Sequence, residues 1–238
     1  FTNTLLVMAI GSLPIFALGQ SPKAGDFRSV ASGNWSIPAT WETFDGTTWN
    51  AAVGVPTSTT TVFIQNADSI SVDIPVAACD TLHMNTATNT ELYLAANTLE
   101  VSGKLRAFTG ADGAIPGTSS NALPNANFIS GLPGGKVKII GAARNITNSG
   151  EWGANPQNWV VEFALDAGTI STVSTGFKAG DITIASGTVI LNSGMRADSA
   201  IAGTGTMTIK NGAALRVGGT AQNLQRVNTG SATSHFRT

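Results

Sequence analysis

Trp152 and Trp159 share one short stretch, Arg144 to Trp159, with Asn148, Asn155 and Asn158. Indole faces stack on apolar ring faces, and side-chain amides both donate and accept hydrogen bonds. That combination suits a hydroxyl-rich ring such as a sugar. Trp152, Trp159, Asn155 and Asn158 are therefore the candidate ligand-binding residues. The same indoles would also serve as plugs for an exposed sheet edge. Other chemistry is sparse. His83 lies between Leu82 and Met84 in an alternating segment, which points it outward from the core. Cys79, the single cysteine, can form neither an internal disulfide nor a cysteine metal site, and reads as a small buried apolar residue. No metal-ligand spacing, nucleophile elbow, phosphate loop or zinc-protease motif occurs, so no metal and no cofactor are expected. The 14 carboxylates are scattered along the chain. Those on the early strands are Asp73, Asp80, Glu91 and Glu100. Acid–base cleavage of a polysaccharide needs carboxylates, or a Lys or Arg base, gathered on one face, and linear order shows no such gathering. Catalysis stays an open question that leans towards none.

The elements that must position these residues are β-strands. The chain has 238 residues, of which 42% are hydrophobic and only 11% charged. An ordinary soluble domain carries roughly 25% charged residues. Gly, Thr, Ser, Asn and Ala fill the difference, as expected of a turn-rich β protein. Net charge is −1 with no basic run, which argues against nucleic acid as a partner. Leu5 to Leu18 is an apolar run too short to span a bilayer comfortably, and Ala17-Leu18-Gly19 follows the pattern of a cleavage site. Residues 1–19 are expected to be a trimmed secretory signal peptide, with no membrane span after its removal.

Residues 20–60 form a lead-in and a tryptophan-rich stretch holding Trp35, Trp41 and Trp49. Asp45-Gly46 is a hairpin signal between Trp41–Phe44 and Thr47–Trp49. From residue 61 to 220, short segments of alternating apolar residues arrive at close intervals: Thr61–Gln65, Ser69–Ile74, Thr81–Met84, Glu91–Leu94, Leu99–Val101 and Lys104–Phe108, then Lys136–Ile140 and Val160–Leu165. Residues 109–135 and 144–159 break the rhythm and are expected to be loop insertions. Residues 221–238 are a polar tail. Asp181–Leu191 aligns without a gap on Thr206–Arg216. A repeated unit of strand, glycine turn and strand indicates stacked units. The expected fold is all-β: a right-handed parallel β-helix, or β-solenoid, whose first coil is covered by the tryptophan-rich cap. The alternative is a β-sandwich.

Gly33-Asn34-Trp35-Ser36, Ala39-Thr40-Trp41, Val55-Pro56-Thr57, Val62-Phe63-Ile64 and Ile70-Ser71-Val72-Asp73, with Cys79 before Leu82, together resemble a recurrent opening. It is similar to that of large secreted surface proteins of gliding and surface-colonising bacteria, exported by type IX secretion. The resemblance covers about Ser32 to Leu105. It implies β-helical regions, a bacterial cell-surface location, adhesion or a stalk role, and a sorting domain beyond residue 238. It also implies O-glycosylation at Asp68-Ser69-Ile70, Asp80-Thr81-Leu82 and Asp198-Ser199-Ala200. Expected partners are surface glycans or other cell-surface proteins. The alternative function is the N-terminal part of a β-helical polysaccharide lyase or hydrolase.

Overall fold

The computed structural model describes residues 22–65, 67–85, 90–108, 129–141, 145–146, 159–172, 177–179, 181–191, 195–197, 201–203, 206–209, 214–217, 227–229 and 235–237. For 106–108, 145–146, 166–172, 177–179 and every described residue from 190 onward, only the backbone is described. The expected signal segment, 1–19, lies outside these residues.

The protein is all-β. One 3-10 turn at Pro38–Thr40 is the sole helical element among the described residues. Strands β1 (Phe27–Ser29) and β2 (Gly33–Asn34) come first, followed by β3 (Trp41–Phe44) and β4 (Trp49–Ala51). Three sets of three follow: β5 (Thr61–Ile64), β6 (Ser69–Ser71) and β7 (Val76–Cys79); β8 (Thr81–Asn85), β9 (Glu91–Tyr93) and β10 (Thr98–Val101); β11 (Leu105–Phe108), β12 (Ile129–Ser130) and β13 (Lys136–Ile140). The remainder are β14 (Asn145–Ile146), β15 (Val160–Thr172), β16 (Phe177–Ala179), β17 (Asp181–Leu191), β18 (Met195–Ala197), β19 (Ile201–Gly203), β20 (Thr206–Ile209), β21 (Ala214–Val217), β22 (Val227–Thr229) and β23 (His235–Arg237).

Four sheets result. Sheet A runs β11-β8-β5-β1-β3-β4, sheet B β12-β9-β6-β2, sheet C β22-β20-β17-β15-β13-β10-β7, and sheet D β16-β18-β21-β23. Three times in succession the chain visits A, then B, then C. Each strand pairs in parallel with its counterpart one cycle later. Thr61 lies opposite Thr81, Ser69 opposite Glu91, and Val76 opposite Thr98, so the three sheets advance by nearly the same length of chain. The next cycle is longer: Leu92 lies opposite Ile129, and Thr98 opposite Lys136. Residues 109–128, the greater part of the first expected insertion, lie outside the described residues. The expected end of that insertion is corrected. Ile129–Ser130 is a strand paired with β9, and Asn145–Ile146, inside the second expected loop, pairs with β15.

Two further expectations are corrected. The lead-in before residue 31 already holds β1, the first parallel partner of β5. The gapless sequence alignment is not the pairing register. It would set Ile182 against Met207 and Thr188 against Ala213, whereas Ile182 lies opposite Ile201 and Thr188 opposite Thr206. The expected turn at Gly187, with φ +78°, is a bend inside one continuous strand. Among the described strands, antiparallel pairing is confined to β1–β3 and β3–β4. A β-sandwich of antiparallel sheets does not fit that pattern.

Alternation decides which side chains go inward, and parallel register stacks like on like. Phe27, Val62, Leu82 and Leu105 line up, as do Ile70, Leu92 and Ile129, and Cys79, Val101, Ile139, Phe163 and Ile184. All are buried in one core. The corners are tight. The Gly103 amide donates to the Asp80 carbonyl at 2.5 Å. A Cβ on Gly103 would sit against Thr81 Oγ1 and 2.6 Å from that carbonyl oxygen. We expect Gly103→Ala to cost about 1–3 kcal/mol in urea unfolding. Gly54→Ala, where no atom lies within 4 Å, should stay within about 0.5 kcal/mol of wild type. Equal midpoints for the two variants would contradict this corner packing.

Candidate functional site

Trp159 leads into β15, and its indole is buried with 1% exposure in the central core. It packs beside Gly131, whose added Cβ would lie 3.3 Å from the Trp159 Cβ. Burial removes the ring from the reach of a surface ligand, so the expected sugar-stacking role of Trp159 is corrected to core packing. Trp152, Asn155 and Asn158 lie outside the described residues.

The other three tryptophans are also held by protein contacts. Trp35 and Trp41 meet edge to face at 5.3 Å, and Trp41 Nε1 donates to the Trp35 carbonyl at 3.0 Å. Both are buried, and β3 and β4 continue sheet A past β1. Trp49 lies 5.1 Å from the Phe44 ring and 6.2 Å from Phe63, with the Arg28 guanidinium 4.7 Å from its centroid. Arg28 is in turn ion-paired with Glu42 at 2.5 Å. His83 departs from expectation. It lies on the side of β8 opposite Leu82 and Met84, yet it is only 1% exposed and stacks on Phe63 at 4.7 Å. Sheet A is thus apolar on both faces near β5 and β8, a feature that alternation alone does not signal.

The four early carboxylates fall on different sides of the molecule. Asp73 follows β6 and accepts from the Ser36 amide and hydroxyl at 2.9 and 2.5 Å. Asp80 sits between β7 and β8 and accepts from the Thr81 and Ser102 hydroxyls at 3.0 and 3.1 Å. Glu91, on sheet B, is held by Ser69 and Ser130 hydroxyls at 3.2 and 2.5 Å. Glu100, on sheet C, accepts from Lys138 at 2.8 Å. The same contacts bear on the expected glycosylation positions. Thr81 is buried, Ser69 donates to Glu91, and Asp198–Ala200 lies outside the described residues.

A convergence that sequence order concealed appears on sheet C. Glu100, Lys138 and Glu162 occupy consecutive register positions across β10, β13 and β15. Lys136 is ion-paired with Glu162. Two ammonium groups and two carboxylates therefore share one outward face, each cation held by an anion. The sequence signal was the alternation of Lys136 and Lys138, with Glu162 in the same phase of the next strand. On sheet B the outward positions are uncharged but for Glu91. Asn34, Ser71, Tyr93 and Ser130 form one row across β2, β6, β9 and β12. No group of three or more His, Cys, Asp or Glu suited to a metal ion occurs among the described residues. No described helix is long and apolar enough to cross a membrane. No family model, no curated protein and no solved structure matches the chain.

Three aspartates carry shifted acidities. Burial pushes the Asp26 carboxyl above its ordinary 3.8, against opposing hydrogen bonds from Lys23 and Thr61. Burial also acts on Asp73, but the hydrogen bonds from Ser36 outweigh it and hold that group below 3.8. Asp45 is held well below the carboxylate range by the Thr48 amide, then by the Thr47 hydroxyl and amide. The first two act with opposite sign. A raised folded pKa at Asp26 means that stability falls as pH rises from the unfolded value through the folded one. A depressed folded pKa at Asp73 means stability present above the unfolded value and lost as pH falls through the folded one. In denaturation series from about pH 2 to 8, Asp26→Asn should lose the decline on the alkaline side of 3.8. Asp73→Asn should lose part of the acid-side decline below 3.8. Unchanged profiles in both variants would contradict these assignments.

Proposed function

We propose that the chain is a β-solenoid segment, a right-handed parallel β-helix, of an exported bacterial cell-surface protein. Its role is non-catalytic: adhesion to surface glycans or to other cell-surface proteins, or a structural stalk. The observation that carries the reading is the repeated order of sheets A, B and C, with Thr61 set against Thr81, Ser69 against Glu91 and Val76 against Thr98 in parallel register. Parallel strands joined by crossovers in one sheet are right-handed in about 98% of cases, which supports the hand. The hairpin β3–β4 and the buried Trp35 and Trp41 stand at the first cycle, where an open end needs a cover. Export rests on the apolar segment Leu5–Leu18 with its small-residue cleavage pattern. The resemblance of the Ser32–Leu105 opening to type IX surface proteins points the same way. The non-catalytic part rests on Asp73, Asp80, Glu91 and Glu100, which occupy separate corners and faces.

A second reading has one observation in its favour. Glu100, Lys138, Lys136 and Glu162 converge on one outward face, and a polysaccharide lyase or hydrolase would need such a gathering. Each ammonium group there is engaged by a carboxylate, whereas a catalytic lysine base needs a free amine. Incubating the chain with neutral and uronic-acid polysaccharides and assaying new reducing ends and unsaturated products separates the two. We expect no cleavage, and binding to whole bacterial or host surfaces in a pull-down. Cleavage that is abolished in Glu162→Gln would establish the enzyme instead.

A further inference from the structure

The outward face of sheet B differs from its two neighbours. Sheet A is covered there by aromatic contacts around Phe63 and His83, and sheet C carries the ion-paired row. On sheet B the row Asn34, Ser71, Tyr93, Ser130 crosses four strands, with Glu91 and Ser69 in the adjacent row. Tyr93 is half-buried. The strands on either side of it place small hydroxyl side chains, Ser71 and Ser130, at its flanks, so the ring is not overhung by a bulky neighbour in that row. Glu91 is fixed from both sides: Ser69 donates to one carboxylate oxygen at 3.2 Å and Ser130 to the other at 2.5 Å. A carboxylate has about four lone-pair sites, so both oxygens keep the capacity to accept further donors. Both serine oxygens do as well.

We propose that this face is a binding platform for a neutral polysaccharide chain, with Tyr93 stacking on one sugar ring and Glu91, Asn34 and the flanking serines bonding its hydroxyls. The argument is one of complementarity. An aromatic ring beside fixed acceptors matches a ligand with an apolar ring face and many hydroxyl donors. No cation stands in either row, so an acidic glycan would meet the Glu91 charge uncompensated. The row crosses four parallel strands at a spacing of about 4.8 Å, which suits an extended polymer better than a compact ligand. The proposal rests on the adhesion reading above and names its ligand and its surface.

The test uses the full chain in affinity electrophoresis through gels carrying soluble neutral polysaccharides (a glucan, a xylan and a mannan), with alginate as the acidic control. Wild type should be retarded by at least one neutral polymer and not by alginate. Tyr93→Ala should weaken that retardation about tenfold, the loss of roughly 1.4 kcal/mol of stacking. Tyr93→Phe should keep most of it. Ser71→Lys, which removes no core group, should block it by placing a long side chain beside the ring. The thermal midpoint of each variant serves as the folding control. If Tyr93→Ala proves unfolded, Ser71→Lys and Tyr93→Phe still decide the matter. Retardation unchanged in both Tyr93→Ala and Ser71→Lys would overturn the site while leaving adhesion standing. Absence of retardation by all three neutral polymers, with surface binding retained, would overturn the ligand class. Loss of all surface binding would instead count against the adhesion reading itself.

Discussion

The constraint on which the rest of the structure depends is the pairing of strand edges. A short strand buries little by itself, and its amides and carbonyls must be satisfied on both sides. Here that satisfaction comes from parallel neighbours contributed by the preceding and following cycles. Parallel pairing requires the chain to return to the same end before it can pair again. The chain makes that return by way of two other strands in two other sheets, not a helix. Once one cycle is set, its register specifies the next. Inward residues then stack in rows, and each row, such as Cys79, Val101, Ile139, Phe163 and Ile184, is a continuous apolar column.

Between cycles, side chains reinforce the ladder in a consistent way. Ser29 donates to Asp68, Ser36 to Asp73, Ser69 and Ser130 to Glu91, and Ser102 to Asp80. Each pair joins residues of adjacent cycles. A hydroxyl bonded to a carboxylate is a charge-assisted contact that needs no cation, which is how a chain with 11% charged residues can tie its rungs together. Three of the early carboxylates, Asp73, Asp80 and Glu91, take part in these contacts, and the fourth, Glu100, is held by Lys138 instead. The first cycle is handled differently. Its edge in sheet A is continued by an antiparallel hairpin whose turn is organised by Asp45, and the indoles of Trp35 and Trp41 fill the adjoining core.

Much of this was legible in the residues. Alternation located β5, β8, β11 and β13, and the Asp45-Gly46 signal located the hairpin. What escaped was of three kinds. The shortest strands, such as Phe27–Ser29, Gly33–Asn34 and Ile129–Ser130, are too brief to show a period and exist because a neighbour supplies the edge. The gapless sequence repeat is real as a pattern but does not coincide with the pairing register, which sets Ile182 against Ile201 and Thr188 against Thr206. Alternation put His83 on the outward side of β8, where it lies, but did not show that Phe63 covers that side; Trp159, read as a sugar-stacking residue or an edge plug, is buried in the core. The second aromatic layer over sheet A and the corner position of Trp159 depend on tertiary packing. For the charged convergence on sheet C the alternation of Lys136 and Lys138 was a partial signal, but Glu100, Lys138 and Glu162 sit on three strands far apart along the chain and meet only through their register.

The three outward faces therefore differ: sheet A carries the stacked Phe63 and His83 rings, sheet C the ion-paired row, and sheet B a row of uncharged polar residues around Tyr93. That difference has meaning only if the strands stack as successive cycles. The most direct test is a set of inter-strand nuclear Overhauser contacts in the isotopically labelled 24.3 kDa chain. The account predicts parallel-type contacts linking Val62 to Leu82, Leu82 to Leu105, Leu99 to Val137 and Val137 to Val161. Antiparallel contacts between sequence neighbours such as β5 and β6 or β8 and β9 would contradict it.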